Sequence, residues 1–190
     1  MPLTTKLEAV NIILGAAGEA PVSTLTEATL DVANAASILD ELTRVIQVEG
    51  WTFNTEADVP LTRQSDGTIP APANSLKIDV DPQAYPDVSP VLRGTRLYDA
   101  KGHSYSFPED IKAEIVYLLP WDELPEPARH YITVRASRVF NDRFVGSELI
   151  RGFTENDEVR ARMVLQAYDT DSADHTIFDS ADTAWRLSRR

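Results

Sequence analysis

The chain has 190 residues, 43% hydrophobic and 25% charged, with a formal net charge of −12. That length holds one large domain or two small ones with a real core, and the composition is that of a soluble globular protein. The absence of cysteine excludes a disulfide framework, a thiolate nucleophile and a cysteine zinc site, and so acidic a chain repels a phosphate backbone rather than gripping it.

Residues 1–55 carry seven acids and two bases, and residues 56–123 carry twelve acids and six bases. Residues 124–168 are locally basic, with seven bases and six acids, and the remaining 22 residues hold five acids and three bases. Ten of the twelve prolines fall between Pro60 and Pro127. Proline breaks helices and tolerates only turns and strand edges, so the middle reads as strands and loops between two helical regions. No apolar run approaches the roughly 18 residues of a spanning helix, so no membrane partner is expected. Lys6 followed by Leu7–Gly18 loosely mimics a signal peptide, but Glu8 and Asn11 interrupt it, and the start reads as mature protein.

The first helix begins at Thr5, with Glu8 at capping-box spacing. Leu7, Val10, Ile13 and Leu14 supply its apolar side, and Gly15 or Gly18 ends it. In the second helix Val32, Ala35, Leu39, Leu42 and Ile46 form a narrow seam, widened by Ile38 and Val45, with Gly50 as the stop. Such a seam packs within its own chain far more often than against a partner helix.

The middle predicts short strands at Leu76–Val80, Thr95–Asp99, His103–Phe107 and Ile111–Leu119. The second and third of these flank Ala100-Lys101-Gly102 as a hairpin, with glycine at the positive-φ position. Segments 60–74 and 81–91 read as loops. A third helix follows Pro125, buries Ala128, Ile132, Ala136, Val139, Phe140 and Phe144, and stops at Gly146. A fourth starts at Thr154, with Ala161, Val164, Leu165 and Tyr168 as its stripe. Beyond Tyr168 the sequence is polar through Asp174, then carries Ile177, Phe178, Trp185 and Leu187 among arginines. A purely solvating tail has little use for those aromatics.

Chemical motifs are mostly missing. Neither a phosphate-binding glycine loop nor GxSxG occurs. Gly15-Ala16-Ala17-Gly18 lacks the nearby bases of a nucleic-acid loop. His103, His130 and His175 are scattered, and Asp79-Val80-Asp81 and Asp169-Thr170-Asp171 do not continue as calcium loops, so no metal or other cofactor is expected. Asp122, Glu123 and Glu126 cluster before the third helix. Two carboxylates can hydrolyse a glycan if held at the right separation, but favourable charge near a helix N-terminus explains them more simply. Arg129, Arg135, Arg138 and Arg143 stand on the third helix with aromatics that belong to its core stripe, and Arg138 and Asp142 are spaced for an i,i+4 pair. Among these, Arg135, Arg138 and Arg143 are candidates for a subunit interface, meeting the acidic second helix of a neighbour.

Two separated blocks carry a resemblance. One holds Ala9-Val10-Asn11-Ile12-Ile13-Leu14, then Gly18-Glu19-Ala20-Pro21-Val22-Ser23-Thr24-Leu25, and Gly50-Trp51-Thr52-Phe53-Asn54. The other holds Trp121-Asp122-Glu123-Leu124-Pro125 and Ala136-Ser137-Arg138-Val139-Phe140-Asn141-Asp142-Arg143-Phe144-Val145-Gly146. Together they resemble the tail tubular protein A family of short-tailed bacteriophages, the adaptor or gatekeeper of the head-to-tail connector. The likeness covers residues 7–54 and 117–168; residues 55–116 match in character only, and the last 20 diverge.

The resemblance implies a non-enzymatic virion protein, made in the host bacterial cytoplasm and resident in the phage tail. It implies a homo-oligomeric ring of about twelve copies between the portal protein and the tail nozzle protein. Double-stranded DNA passes its channel without specific binding. The implied fold is α+β: a bundle of about four helices with an inserted antiparallel, proline-rich β part. Matched residues Gly18, Pro21, Gly50, Trp51, Phe53, Phe140 and Gly146 are architectural. The resulting division is 1–55 and 125–168 for the bundle, 56–124 for a nozzle-facing β part, and 169–190 for a portal-docking tail. In that tail Trp185, Arg186, Arg189 and Arg190 are the candidate portal contacts. A tail-associated glycan hydrolase using Glu123 and Glu126 is the alternative, and a monomeric binding module a third reading.

Overall fold

The computed structural model describes residues 3–26, 29–146 and 148–179. The fold is α+β and divides into two compact units, one of residues 1–46 with 120–190, the other the inserted segment 47–119.

The helical unit contains α1 (Lys6–Ala16), α2 (Leu30–Gln47, whose last residue begins the other unit), α3 (Glu126–Phe140) and α4 (Glu148–Asp179). Thr5 and Glu8 close the expected capping box on α1. Gly18, at φ 82°, ends that helix, and the Glu19 amide reaches back to the Leu14 carbonyl at 2.9 Å. Asn11 then bonds both backbone groups of Val22, fixing the extended exit. The α2 seam Val32, Ala35, Leu39, Leu42 and Ile46 is buried as expected, with Ile38, whereas Val45 faces solvent. The third helix passes into a π-turn, Asn141–Val145, before Gly146 stops it in the left-handed region. That turn alters the helical phase, and Phe144, expected inside, is 51% exposed. The fourth helix begins at Glu148, not Thr154, and continues through the polar segment 169–174 to Asp179. Ala161 and Leu165 are buried, but Val164 and Tyr168 are exposed. Packing of α4 on α3 covers a narrower arc than the apolar spacing suggests.

An N-terminal clasp completes this unit. Glu126 accepts from both the amide and the hydroxyl of Thr4. The Thr4 carbonyl accepts from Trp121 Nε1 at 3.0 Å and Arg129 Nη1 at 2.8 Å.

The inserted unit contains β1 (Thr55–Leu61), β2 (Ser75–Asp79), β3 (Pro90–Arg93), β4 (Arg96–Asp99) and β5 (Ile111–Tyr117). Strands β1, β5 and β2 form an antiparallel sheet in that order, and β3 and β4 pair as a separate hairpin. Pro60 lies within β1, an edge strand, where a missing amide is tolerated. Ile78, Ile111, Ala113 and Ile115 from the sheet share one core with Leu97, Ile69 and Phe107. The expected hairpin around residues 100–102 is displaced. The strand partner of β4 is Pro90–Arg93, which begins within the predicted loop 81–91 and runs past its end, and 103–107 contributes only a bridge from Ser104 to Asp99. His103, not Gly102, takes positive φ. Gly102 is needed because a Cβ there would meet Asp99 Oδ2 at 2.4 Å. The Asp99 carboxylate ties this turn by accepting from the amides of Ser89, Lys101 and Gly102.

Candidate functional site

The predicted arginines of α3 are engaged within their own chain. Arg138 Nε bonds Glu158 of α4, and its Nη1 lies 3.3 Å from Asp142. Donation of this hydrogen bond to the Glu158 carboxylate is the main reason the Arg138 pKa is raised. Arg135 Nε approaches the same carboxylate at 3.7 Å, while Arg135 Nη1 and Arg162 Nη1 both donate to the Tyr131 hydroxyl. Glu158 and Tyr131 thus gather three guanidinium groups at the α3–α4 contact. Arg143 pairs with Glu41 of α2 at 3.4 Å. Arg129, read from sequence as one more base on this helix, is 3% exposed and wholly committed to carbonyls.

The candidate portal contacts Trp185, Arg186, Arg189 and Arg190 lie outside the described residues. Of the candidate hydrolytic pair, Glu126 is occupied by Thr4. Among the described residues no group of His, Cys, Asp and Glu could hold a metal ion, and no helix is long and apolar enough to cross a membrane.

Two surfaces of the inserted unit were missed by the sequence reading. On the β3–β4 hairpin, Arg93 stacks 3.5 Å over the Tyr98 ring, Arg96 stacks 4.1 Å over Tyr105, and the two rings meet edge-on at 5.0 Å. The second surface is an open depression of about 360 Å³ bordered by Asp58, Asp79, Asp81 and Glu114. The Arg-Gly-Thr-Arg string, with tyrosines two and nine residues on, was the available signal for the first. It reads as a turn only once Pro90–Arg93 is known to be a strand.

The family model "Tail tubular protein" matches residues 7–175. The chain belongs to the tail tubular protein family. A curated relative, Tail tubular protein A of Klebsiella phage KP34, is 26% identical over 164 residues, covering 86% of each chain. As a tail tubular protein it is a structural component of a phage tail and non-enzymatic. Glu126, at the start of α3, has a structural role in holding Thr4, and the hydrolase alternative gains no support. Family membership spans both units, so the inserted β segment is part of the family architecture.

Proposed function

We propose that this tail tubular protein is the head-to-tail adaptor: a ring of about twelve copies joining the portal protein to the tail nozzle protein and conducting double-stranded DNA during ejection. The observation that carries this reading is the family match across residues 7–175, which takes in both units. Residues 1–55 and 125–168 form the ring's helical body, 56–124 faces the nozzle, and 169–190 engages the portal.

Within the helical body, Arg135, Arg138 and Arg143 lie at the subunit interface. The Arg143 pair leaves most room for this role, since Arg143 and Glu41 each keep about half of their side chains exposed. Trp185, Arg186, Arg189 and Arg190 dock on the portal, a combination favoured at interface hot spots. Acidic side chains dominate the lumen, so DNA meets a weakly repulsive wall.

Electron microscopy of the protein alone and mixed with its portal tests the reading. Rings capping the portal are expected, and absence of association by well-folded protein overturns it. Unchanged portal binding after deletion of residues 177–190 removes the tail's role. A lumen lined mainly by arginine removes the repulsive-wall argument.

A further inference from the structure

The inserted unit carries two like-charge pairs at directly opposed positions of antiparallel strands. Arg93 faces Arg96 across the β3–β4 hairpin. Asp79 faces Glu114 across β2 and β5. Like charges in register repel and weaken a sheet, so neither pair serves local stability.

The arginine pair is held ready. Strand alternation puts Leu92 and Leu97 on the inner face of the hairpin and Val91, Arg93, Arg96 and Tyr98 on the outer face. A guanidinium stacked on a tyrosine ring is fixed by its flat face and keeps its in-plane donors available. Neither Arg93 nor Arg96 forms an ion pair or side-chain hydrogen bond among the described residues. Asp66 acts on Arg96 electrostatically, but its Oδ1 is engaged by the amide and hydroxyl of Thr68. Exposed Val91, at 42%, completes a small outward-facing patch of arginine, tyrosine and valine beside the Gly94-Thr95 turn.

The acidic pair lies at a depression. Asp79 and Glu114 border the open depression together with Asp58 and Asp81, and its lining includes the small residues Ala57 and Ala113. Asp58 reaches it from an irregularity in β1 and has φ 57°, a conformation uncommon outside glycine. Lys77 contacts Asp79 only at 4.0 Å, and Lys112 is the cation on the rim. Opposed residues on neighbouring strands have their Cβ atoms about 5 Å apart in both pairs, so two guanidinium groups and two carboxylates can be matched one to one.

We propose that the Arg93–Arg96 hairpin patch of one subunit docks into the Asp79–Glu114 depression of the next copy. The two surfaces are different parts of the same unit, so the contact is heterologous, and repetition of such a contact closes a ring when the rotation permits. DNA is the poorer occupant. The chain's net charge of −12 opposes it, and the tyrosine faces that would stack on bases are covered by the arginines. The inference rests on the ring reading and names a contact within it.

The test uses full-length protein, with rings assembled on the portal and scored by electron microscopy and sedimentation. Arg93→Glu with Arg96→Glu, and separately Asp79→Lys with Glu114→Lys, should each raise the concentration needed for half-assembly at least about tenfold. The four changes combined in one chain should restore assembly, which damage to the fold cannot do. Should the reversal variants melt early, Arg93→Gln with Arg96→Gln replaces the first and should weaken assembly in the same direction. Rings unaffected by either pair overturn this contact and leave the adaptor reading standing. No rings from the unaltered protein overturn both. Binding of a short DNA duplex that disappears in the Arg93, Arg96 variant while rings persist assigns the patch to phosphate and also overturns the contact.

Discussion

Arg129 provides the sharpest test of the helical unit. Its Nε donates to the Leu124 carbonyl at 2.8 Å, Nη1 to Thr4 at 2.8 Å and Nη2 to Asp122 at 2.7 Å. The guanidinium therefore ties the N-terminal segment and the 3-10 turn Trp121–Glu123 to α3, with no carboxylate partner among the described residues. Arg129→Met keeps most of the side-chain bulk and removes all three bonds. Thr4 retains a donor in Trp121 Nε1, so two carbonyls, of Leu124 and Asp122, lose this donor. At about 1–3 kcal/mol for each stranded group, offset by relief of a buried charge, the net loss should be about 3 kcal/mol. Arg129→Ala adds a cavity and should cost about 4–5 kcal/mol. Arg129→Lys keeps the charge but cannot present the fork, and should cost about 2 kcal/mol. Urea unfolding followed by far-UV circular dichroism reads these values. With a slope near 2 kcal/mol per molar, Arg129→Met should lower the midpoint by about 1.5 M. A Met variant within about 0.5 kcal/mol of the unaltered protein would refute the claim that these bonds hold the clasp.

Other substitutions probe separate parts of the molecule. Asn54, in the turn before β1, donates to the Gln47 and Tyr117 carbonyls and accepts from the Trp51 amide, so Asn54→Ala should cost about 2–4 kcal/mol by urea unfolding. Gly67 has φ 86°, and a Cβ there would lie 2.3 Å from Ser106 Oγ, so Gly67→Ala should destabilise by about 2 kcal/mol, read as a lowered Tm. Glu158→Ala removes the shared carboxylate of Arg135 and Arg138; with partial exposure the loss should be about 1–2 kcal/mol, and no loss in thermal unfolding would make the network dispensable. The Glu8 carboxyl is held below its ordinary pKa chiefly by the Thr5 amide. Its contribution is therefore fully present above the ordinary carboxylate range and lost as pH falls through the lowered folded value. The stability difference between the unaltered protein and Glu8→Gln should shrink over that acidic window, and a pH-independent difference would contradict this.

Local chemistry made much of the helical unit legible. The Thr5 and Glu8 cap, the α2 seam, Gly18 and Gly146 are short-range features whose meaning depends on neighbours within one or two turns. The errors arose where a second element decides the outcome. Phe144 turns outward within the π-turn, and Val164 and Tyr168 stay exposed although their spacing matches a buried stripe. The hairpin was misplaced because Pro90 looks like a loop residue until its strand is seen to pair only with β4.

The candidate surfaces divide in the same way. Sequence identified Arg135, Arg138 and Arg143 as a basic group, but pairing with Glu158 and Glu41 is a matter of tertiary packing. Arg129 shows the limit most clearly, because an arginine on a helix reads as solvated until three carbonyls from other segments converge on it. By itself the sequence determined the family, the α+β class and the absence of nucleotide-loop and cysteine chemistry, since these reside in local motifs and composition. Tertiary structure alone decided which charges are spent inside the chain and which face outward. Opposition of Arg93 to Arg96, and of Asp79 to Glu114, depends on strand register, and register is set by pairing between segments rather than within either one.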